Sequence, residues 1–243
     1  MATVHFIQQG KGGVGKSFIS SLLYQALKYH FGKEVYAFDA DPINATLKGY
    51  KEFDVSRVDI MKGDNINSRA FDSVIEDIVS FPEHSHVIVD NGASSFVALN
   101  AYIRENDIVK LLSDNGSTIY FHAIITGGQA LTDTVKGLKA MFMSYPSEKI
   151  VVWLNSFFGD IQVDGATFTD FQIYDDHKHQ INTIIQLPEV NPATFGKDIE
   201  ELCAKRMSFR EGIASSKNIV VRSRLNKYWN QIISIMQQTE FVS

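Results

Sequence analysis

One cysteine in 243 residues, Cys203, excludes an intrachain disulfide and fits a reducing cytosol. No apolar run approaches the length of a membrane span, so no stable membrane insertion is expected. Met1 to Gln8 enters a strand-like run with no basic segment ahead of an apolar stretch, which argues against a signal peptide. Positive charge is not in excess either. The formal net charge is −5, so any nucleic-acid contact has to come from a local patch. Internal repeats, low-complexity tracts and linkers are absent. What remains is a cytoplasmic chain, 44% hydrophobic, with enough apolar residues for one sizeable core. A single domain over residues 1–243 is expected.

The apolar pattern alternates strands with helices. Val4 to Gln8 reads as the first strand. Ile19, Leu22, Leu23, Ala26 and Leu27 recur on one face of a 3.6-residue period, with Gly32 as the helix stop. Strands are expected at Glu34 to Phe38, at Val55 to Ile60, at Val87 to Val89, at Thr118 to Ile125, at Ile150 to Leu154 and at Ile184 to Leu187. Helices are expected around Phe71 to Val79, from Phe96 to Arg104 with continuation through Leu112, and around Leu131 to Phe142. Alternation of this kind predicts an α/β fold, a mostly parallel sheet with helices on both faces. Residues 159–182 show no clear period, with a short helix near Phe168 to His177.

Between the first strand and the first helix lies Gly10-Lys11-Gly12-Gly13-Val14-Gly15-Lys16-Ser17, followed by Phe18. It fits the P-loop pattern G-x-x-x-x-G-K-[ST]. Successive backbone N–H groups in such a loop point inward as an anion nest, and the helix that follows offers its positive end. Lys16 is placed to contact β- and γ-phosphates, and the Ser17 hydroxyl to ligate Mg²⁺. A glycine-rich turn without a ligand is the plain alternative.

Three aspartates end strands. Asp90 follows Val87-Ile88-Val89, where a carboxylate can hold Mg²⁺ through water; a turn residue in Asp-Asn-Gly is the alternative. Asp39 and Asp41 are two apart, so both can face one side, and Pro42 keeps Asp41 out of a helix. They are candidates to tune Mg²⁺ and position water, or to cap a turn.

With these residues placed, the chain resembles the ParA/MinD family of deviant Walker A P-loop ATPases. The mark is Lys-Gly-Gly-Val-Gly-Lys-Ser at Lys11 to Ser17, and the resemblance runs from Val4 to about Leu202. Asp39-Ala40-Asp41-Pro42 looks like the switch I segment of that family, and Val87 to Asp90 like its Walker B strand. The resemblance implies a slow, Mg²⁺-dependent ATPase binding ATP and ADP, in which two ATP-bound copies form a homodimer. It assigns Lys11 to the partner's nucleotide, Asp41 to the attacking water, and Asn155, Pro188 and Glu189 to the base; Asn155 fits a turn cap equally well. Within the family the chain is nearest to the TraL/StbB-like ATPases of conjugative plasmids, through Leu187 to Gly196. That implies a bacterial, plasmid-encoded protein whose partner is a plasmid-transfer or partition protein. One departure stands out: Asn91-Gly92-Ala93 follows Asp90, where many members carry a proline. It keeps open a nucleotide-gated binding module with negligible turnover. A P-loop small-molecule kinase is a weaker option, lacking a recognisable acceptor pocket.

Lys205, Arg206, Arg210, Lys217, Arg222, Arg224 and Lys227 form a loose basic set that can contact DNA phosphates or simply be solvated. The last helix, with Leu225, Tyr228, Trp229, Ile232, Ile233 and Met236, reads as core-packing. His84 with His86, and His177 with His179, read as solvated loop residues rather than metal ligands.

Overall fold

The structure, a computed structural model, describes residues 2–62 and 65–242. Among them, seven strands pair in one sheet, every pairing parallel. They are β1 (Thr3–Gln8), β2 (Val35–Ala40), β3 (Val55–Arg57), β4 (His86–Asn91), β5 (Thr118–Thr126), β6 (Ile150–Asn155) and β7 (Ile181–Gln186). The order across the sheet is β7-β6-β5-β1-β4-β2-β3. Helices α1 (Lys16–Gln25), α2 (Ser68–Ser80), α3 (Phe96–Glu105), α4 (Ile108–Asp114), α5 (Leu131–Ser144) and α6 (Gln172–His177) follow in turn. The chain ends in α7 (Lys197–Ala204), α8 (Phe209–Ser215) and α9 (Ile219–Met236).

Alternate residues of each central strand feed opposite cores, as a sheet covered on both faces requires. Val4, Phe6, Val87, Val89, Phe121 and Ala123 pack with α2 to α5 through Phe71, Leu99, Leu112 and Leu138. Ile7, Ile88, Ile124 and Trp153 pack on the other face with α1 and with α7 to α9, through Leu22, Ile199, Phe209, Leu225 and Ile232. The apolar side of α9 is therefore core, as its spacing predicts.

Several expectations change. The helix from Phe96 does not run through Leu112: it stops at Glu105, and α4 restarts after Asp107, whose φ of 48° is left-handed. Aspartate tolerates that conformation better than most residues. The Val55 strand ends at Arg57. Helix α1 closes through a π-helical turn, Ala26–His30, before Gly32 turns the chain at φ 65°. In residues 159–182 the structure adds an antiparallel hairpin, Gln162–Val163 with Ala166–Thr167, ahead of α6. Its two-residue turn is Asp164-Gly165, both at positive φ.

The histidine reading changes most. His86 is not in a solvated loop; it is 4% exposed in β4. With His5 from β1 alongside and His122 from β5 beyond it, it forms a buried chain under Phe241, whose ring stands edge-on to His5 at 5.4 Å and to His122 at 5.7 Å. Trp153 Nε1–H can only donate, so it makes His122 Nδ1 an acceptor at 2.9 Å. His122 Nε2–H then donates to His5 Nδ1 at 3.0 Å, and His5 Nε2–H to His86 Nδ1 at 3.1 Å. One tryptophan thus sets three tautomers, and the chain is complete only while all three rings are neutral. Burial holds them so: His86 is pushed down to about 4, His122 to about 3, and His5 well below its ordinary value, with His122 and His86 adding to the effect of burial.

Candidate functional site

The carboxyl ends of β1, β2, β4 and β6 converge on one loop. β1 leads into the Gly10–Ser17 segment, in which Gly13 (φ 74°) and Gly15 (φ 101°) are left-handed, a conformation that side chains resist. α1 begins directly at Lys16, so its unpaired N–H groups face the loop. A Cβ on Gly10 would sit 3.0 Å from the Phe96 ring, so α3 closes the loop from behind.

Both lysines of the loop are engaged within the chain. Lys16, 7% exposed, donates through Nζ to the Lys11 carbonyl at 3.1 Å. Burial lowers its pKa against the opposing pull of Asp90 and Asp41. Lys11 Nζ pairs with Asp133 Oδ2 on α5 at 2.8 Å, both side chains about half exposed.

Asp39 and Asp90 are register partners across β2 and β4 and are fully buried. Asp90 Oδ1 accepts from Ser20 Oγ at 2.9 Å, and the nearby Ser17 hydroxyl and Lys16 ammonium favour its charged form. Its Oδ2 is buried with no hydrogen-bond partner. Burial raises the Asp90 carboxyl to about 7. Asp39 is occupied differently: Oδ1 accepts from Asp41 N at 3.2 Å and Oδ2 from Lys48 N at 2.9 Å. Burial also raises its pKa, while those amide bonds act against the rise. Asp41 Oδ1 accepts from Ile43 N at 2.9 Å and Asn44 N at 3.0 Å, an Asx turn. This turn lies on the one after β4, where a Cβ on Gly92 would be 2.9 Å from both Asp41 and Pro42. Glycine therefore stands there for want of space.

The donor set suits Mg²⁺ better than a metal caged by protein. Ser17 offers a hydroxyl near the Asp90 carboxylate, which keeps one oxygen unpartnered. Among the described residues no group of three or more His, Cys, Asp or Glu could hold a metal ion. Mg²⁺ keeps several waters and completes its shell with phosphate oxygens, so few protein ligands are needed. Asp39, with both oxygens on backbone amides, fits a role in holding the turn rather than direct ligation.

Beside the loop opens a cavity of about 400 Å³ that gathers Phe18, Asn155, Pro188 and Glu189. Its far wall was not foreseen: Ile199 and Cys203 of α7 and Tyr228 of α9. No local signal in the chain marks them, because they arrive by tertiary packing. Burial pushes the Cys203 thiol up to about 11, which keeps it protonated. Asn155 is 5% exposed, and its amide is engaged at both ends: Nδ2 donates to Val14 O at 3.0 Å, and Oδ1 accepts from Phe157 N at 3.2 Å.

The basic set does not gather into one patch of unpaired charge. Lys205 pairs with Glu201 at 3.2 Å, Arg210 with Glu52 at 2.9 Å and Arg224 with Asp198. Arg222 and Lys227 remain exposed on α9. His177 stacks on Phe142 and bonds Gln180 at 2.9 Å. No helix of the described residues is long and apolar enough to cross a membrane.

Comparison with known proteins agrees with this geometry. The CobQ/CobB/MinD/ParA nucleotide binding domain matches residues 5–222. Two Escherichia coli proteins named Protein TraL are each 41% identical to the chain, one over 93% of both lengths and the other over 98% of both. In solved structures the fold is similar to a ParA family ATPase from Chlorobium tepidum TLS, with a TM-score of 0.57 at 14% identity over 94% of this chain and 98% of that one. It is also similar to the MinD cell division protein of Aquifex aeolicus, with a TM-score of 0.53 at 15% identity over 96% and 97%.

Proposed function

Because the chain belongs to the CobQ/CobB/MinD/ParA nucleotide-binding family, we propose that it is an ATP-dependent dimeric switch that hydrolyses ATP slowly. The carrying observation is the Asp90 carboxylate, fully buried near Ser17 and Lys16 of the phosphate loop with its second oxygen unpartnered. That arrangement suits Mg²⁺–triphosphate and little else.

Each residue then has a task. Backbone amides of Gly12 to Lys16 receive the phosphates, and Lys16 exchanges the Lys11 carbonyl for β- and γ-oxygens. Mg²⁺ when bound neutralises phosphate charge; Ser17 would ligate it and Asp90 would hold its water. Asp39 fixes the 41–48 turn through Lys48 N and so places Asp41 at the loop's edge. Asp41 orients the attacking water. Lys11 leaves Asp133 and reaches the nucleotide of a second copy, where its charge stabilises the transition state. The TraL similarity supports a role in plasmid transfer, with a transfer protein as the partner that reads the dimer. Exposed Arg222 and Lys227 leave room for a salt-dependent DNA contact.

A second reading, a nucleotide-gated binding module with negligible turnover, is favoured by one observation. Asp41 Oδ1 is already spent on Ile43 N and Asn44 N, which leaves only Oδ2 of a turn-bound carboxylate to serve water. Phosphate release measured with ATP and Mg²⁺, for wild type and Asp41→Ala, separates the two. Turnover that falls at least tenfold in the variant supports the ATPase. Binding without turnover, alone and with other plasmid-transfer proteins added, supports the gated module.

A further inference from the structure

We propose that Asn155 is a strut joining the phosphate loop to the base cavity, and not only a group that reads the base. The proposal rests on the nucleotide-site reading above and assigns this residue a positioning role within it.

Asn155 ends β6 with its side chain almost wholly buried. Its amide bridges two segments far apart in sequence: Nδ2 donates to Val14 O at 3.0 Å, inside the phosphate loop, and Oδ1 accepts from Phe157 N at 3.2 Å, at the cavity wall. The two partners fix the orientation of the carboxamide, because a carbonyl can only accept and a backbone N–H can only donate. Its main chain is held as well, with Thr126 Oγ1 donating to Asn155 O at 2.8 Å.

The neighbours are cut to fit this contact. A Cβ on Gly15 would stand 2.9 Å from Asn155 Nδ2, so the loop approaches the amide only because residue 15 has no side chain. On the other side, Gly127 meets the carbonyls of Gly159 and Asp160 where any Cβ would clash at 2.1 Å and 2.4 Å. Residues 156–160 are thereby clamped between Asn155 and the end of β5. One N–H and one lone pair of the amide are spent on the protein, so the bracing role exists beside any contact that the second of each makes in the cavity. Removing Asn155 leaves the Val14 carbonyl and the Phe157 N–H unpartnered, so both the phosphate loop and the cavity wall loosen together.

Pyrophosphate separates the two roles, because it has no base. Titration calorimetry on the full chain compares pyrophosphate, ADP and GDP for wild type, Asn155→Ala and Asn155→Asp. Loss of the strut predicts that pyrophosphate affinity falls roughly 5- to 30-fold in Asn155→Ala, and that ADP affinity falls at least as far. In the nucleotide-free protein, amide exchange in Gly12 to Ser17 accelerates while the α5 amides stay protected. Asn155→Asp keeps the acceptor for Phe157 N but cannot donate to Val14 O; exchange therefore accelerates in the loop and not at Phe157, which keeps the test available if the alanine variant is unstable. Pyrophosphate affinity and loop exchange both unchanged, with only the ADP-to-GDP ratio collapsing, overturns the strut. Wild type that binds neither pyrophosphate nor ADP overturns the nucleotide reading instead, and the exchange experiment still decides on the strut.

Discussion

Lys11 Nζ sits 2.8 Å from Asp133 Oδ2, so the lysine assigned to a second copy's nucleotide is held in the chain that carries it. The bond to Lys11 is also the main reason the Asp133 carboxyl is held below its ordinary value. Lys16 occupies the Lys11 backbone carbonyl in the same conformation. In the proposed switch, arriving phosphate would draw Lys16 away from that carbonyl, and Lys11 would have to leave Asp133 before crossing to a partner.

Asp133→Asn removes the competitor without touching the loop. Exposed ion pairs are weak, so the expected gain is modest: dimer affinity with a non-hydrolysable ATP analogue rises up to about fivefold. ADP affinity of the monomer stays the same. Sedimentation equilibrium at low salt measures it, and a weaker dimer would show that Asp133 helps assembly rather than restraining it.

Asp90→Asn tests the cation site. The variant keeps its volume and its contact with Ser20 but loses the charge that holds metal-bound water. Nucleotide affinity in the presence of Mg²⁺ is expected to fall about 10- to 100-fold, the usual effect of removing a group that supports a metal's ligands. Affinity in excess chelator is expected to hold. An equal loss in both conditions would place Asp90 in loop stability instead.

Gly92→Ala drives a methyl to 2.9 Å from Asp41 and Pro42. The two turns must separate, which moves Asp41 off the loop's edge. ATP turnover is expected to fall at least tenfold while ADP affinity changes less than threefold. Parallel rates and affinities read by phosphate release and calorimetry decide it.

The histidine chain sets the acid limit of stability. His5, His86 and His122 have folded pKa values depressed far below 6.5, so the unfolded chain takes up protons first as pH falls. Their stabilisation is complete above about pH 6.5 and is lost as pH falls toward 4. Asp90, raised to about 7, runs the other way: its neutral form favours the native state as pH drops. Asp39 acts in the same sense as Asp90. Three histidines against one aspartate leave a net loss near two protons, roughly 2.7 kcal/mol per pH unit around pH 5 to 6, and less by the share of Asp39. His86→Gln retains an acceptor for His5 Nε2–H and is expected to flatten this slope by about one proton. Urea unfolding at pH 7.5, 6.5 and 5.5 gives both slopes, and equal slopes would contradict the neutral chain.

The phosphate loop was legible because its chemistry is local: glycines at Gly13 and Gly15 supply the backbone angles, and Lys16 and Ser17 follow within the same turn. Asp39 and Asp90 could be placed at strand ends, but not that they would be register neighbours, which depends on β4 inserting between β1 and β2. The Asp164-Gly165 hairpin carried a local signal, two residues suited to positive φ, that the weak alternation around it masked. His5, His86 and His122 are 36 or more positions apart, and only strand order brings them into one hydrogen-bonded row. Tyr228 and Cys203 reach the cavity through helix packing, for which periodicity offers a buried face and no address.

The most direct measurement is the mass of the protein in solution with Mg²⁺ and either ADP or a non-hydrolysable ATP analogue, for wild type and Lys11→Ala. Wild type is expected to be monomeric with ADP and dimeric with the analogue, and Lys11→Ala to remain monomeric with both while binding the analogue. Wild type that stays monomeric with saturating analogue and Mg²⁺, or a Lys11→Ala dimer as tight as wild type, would contradict a switch that closes through this lysine.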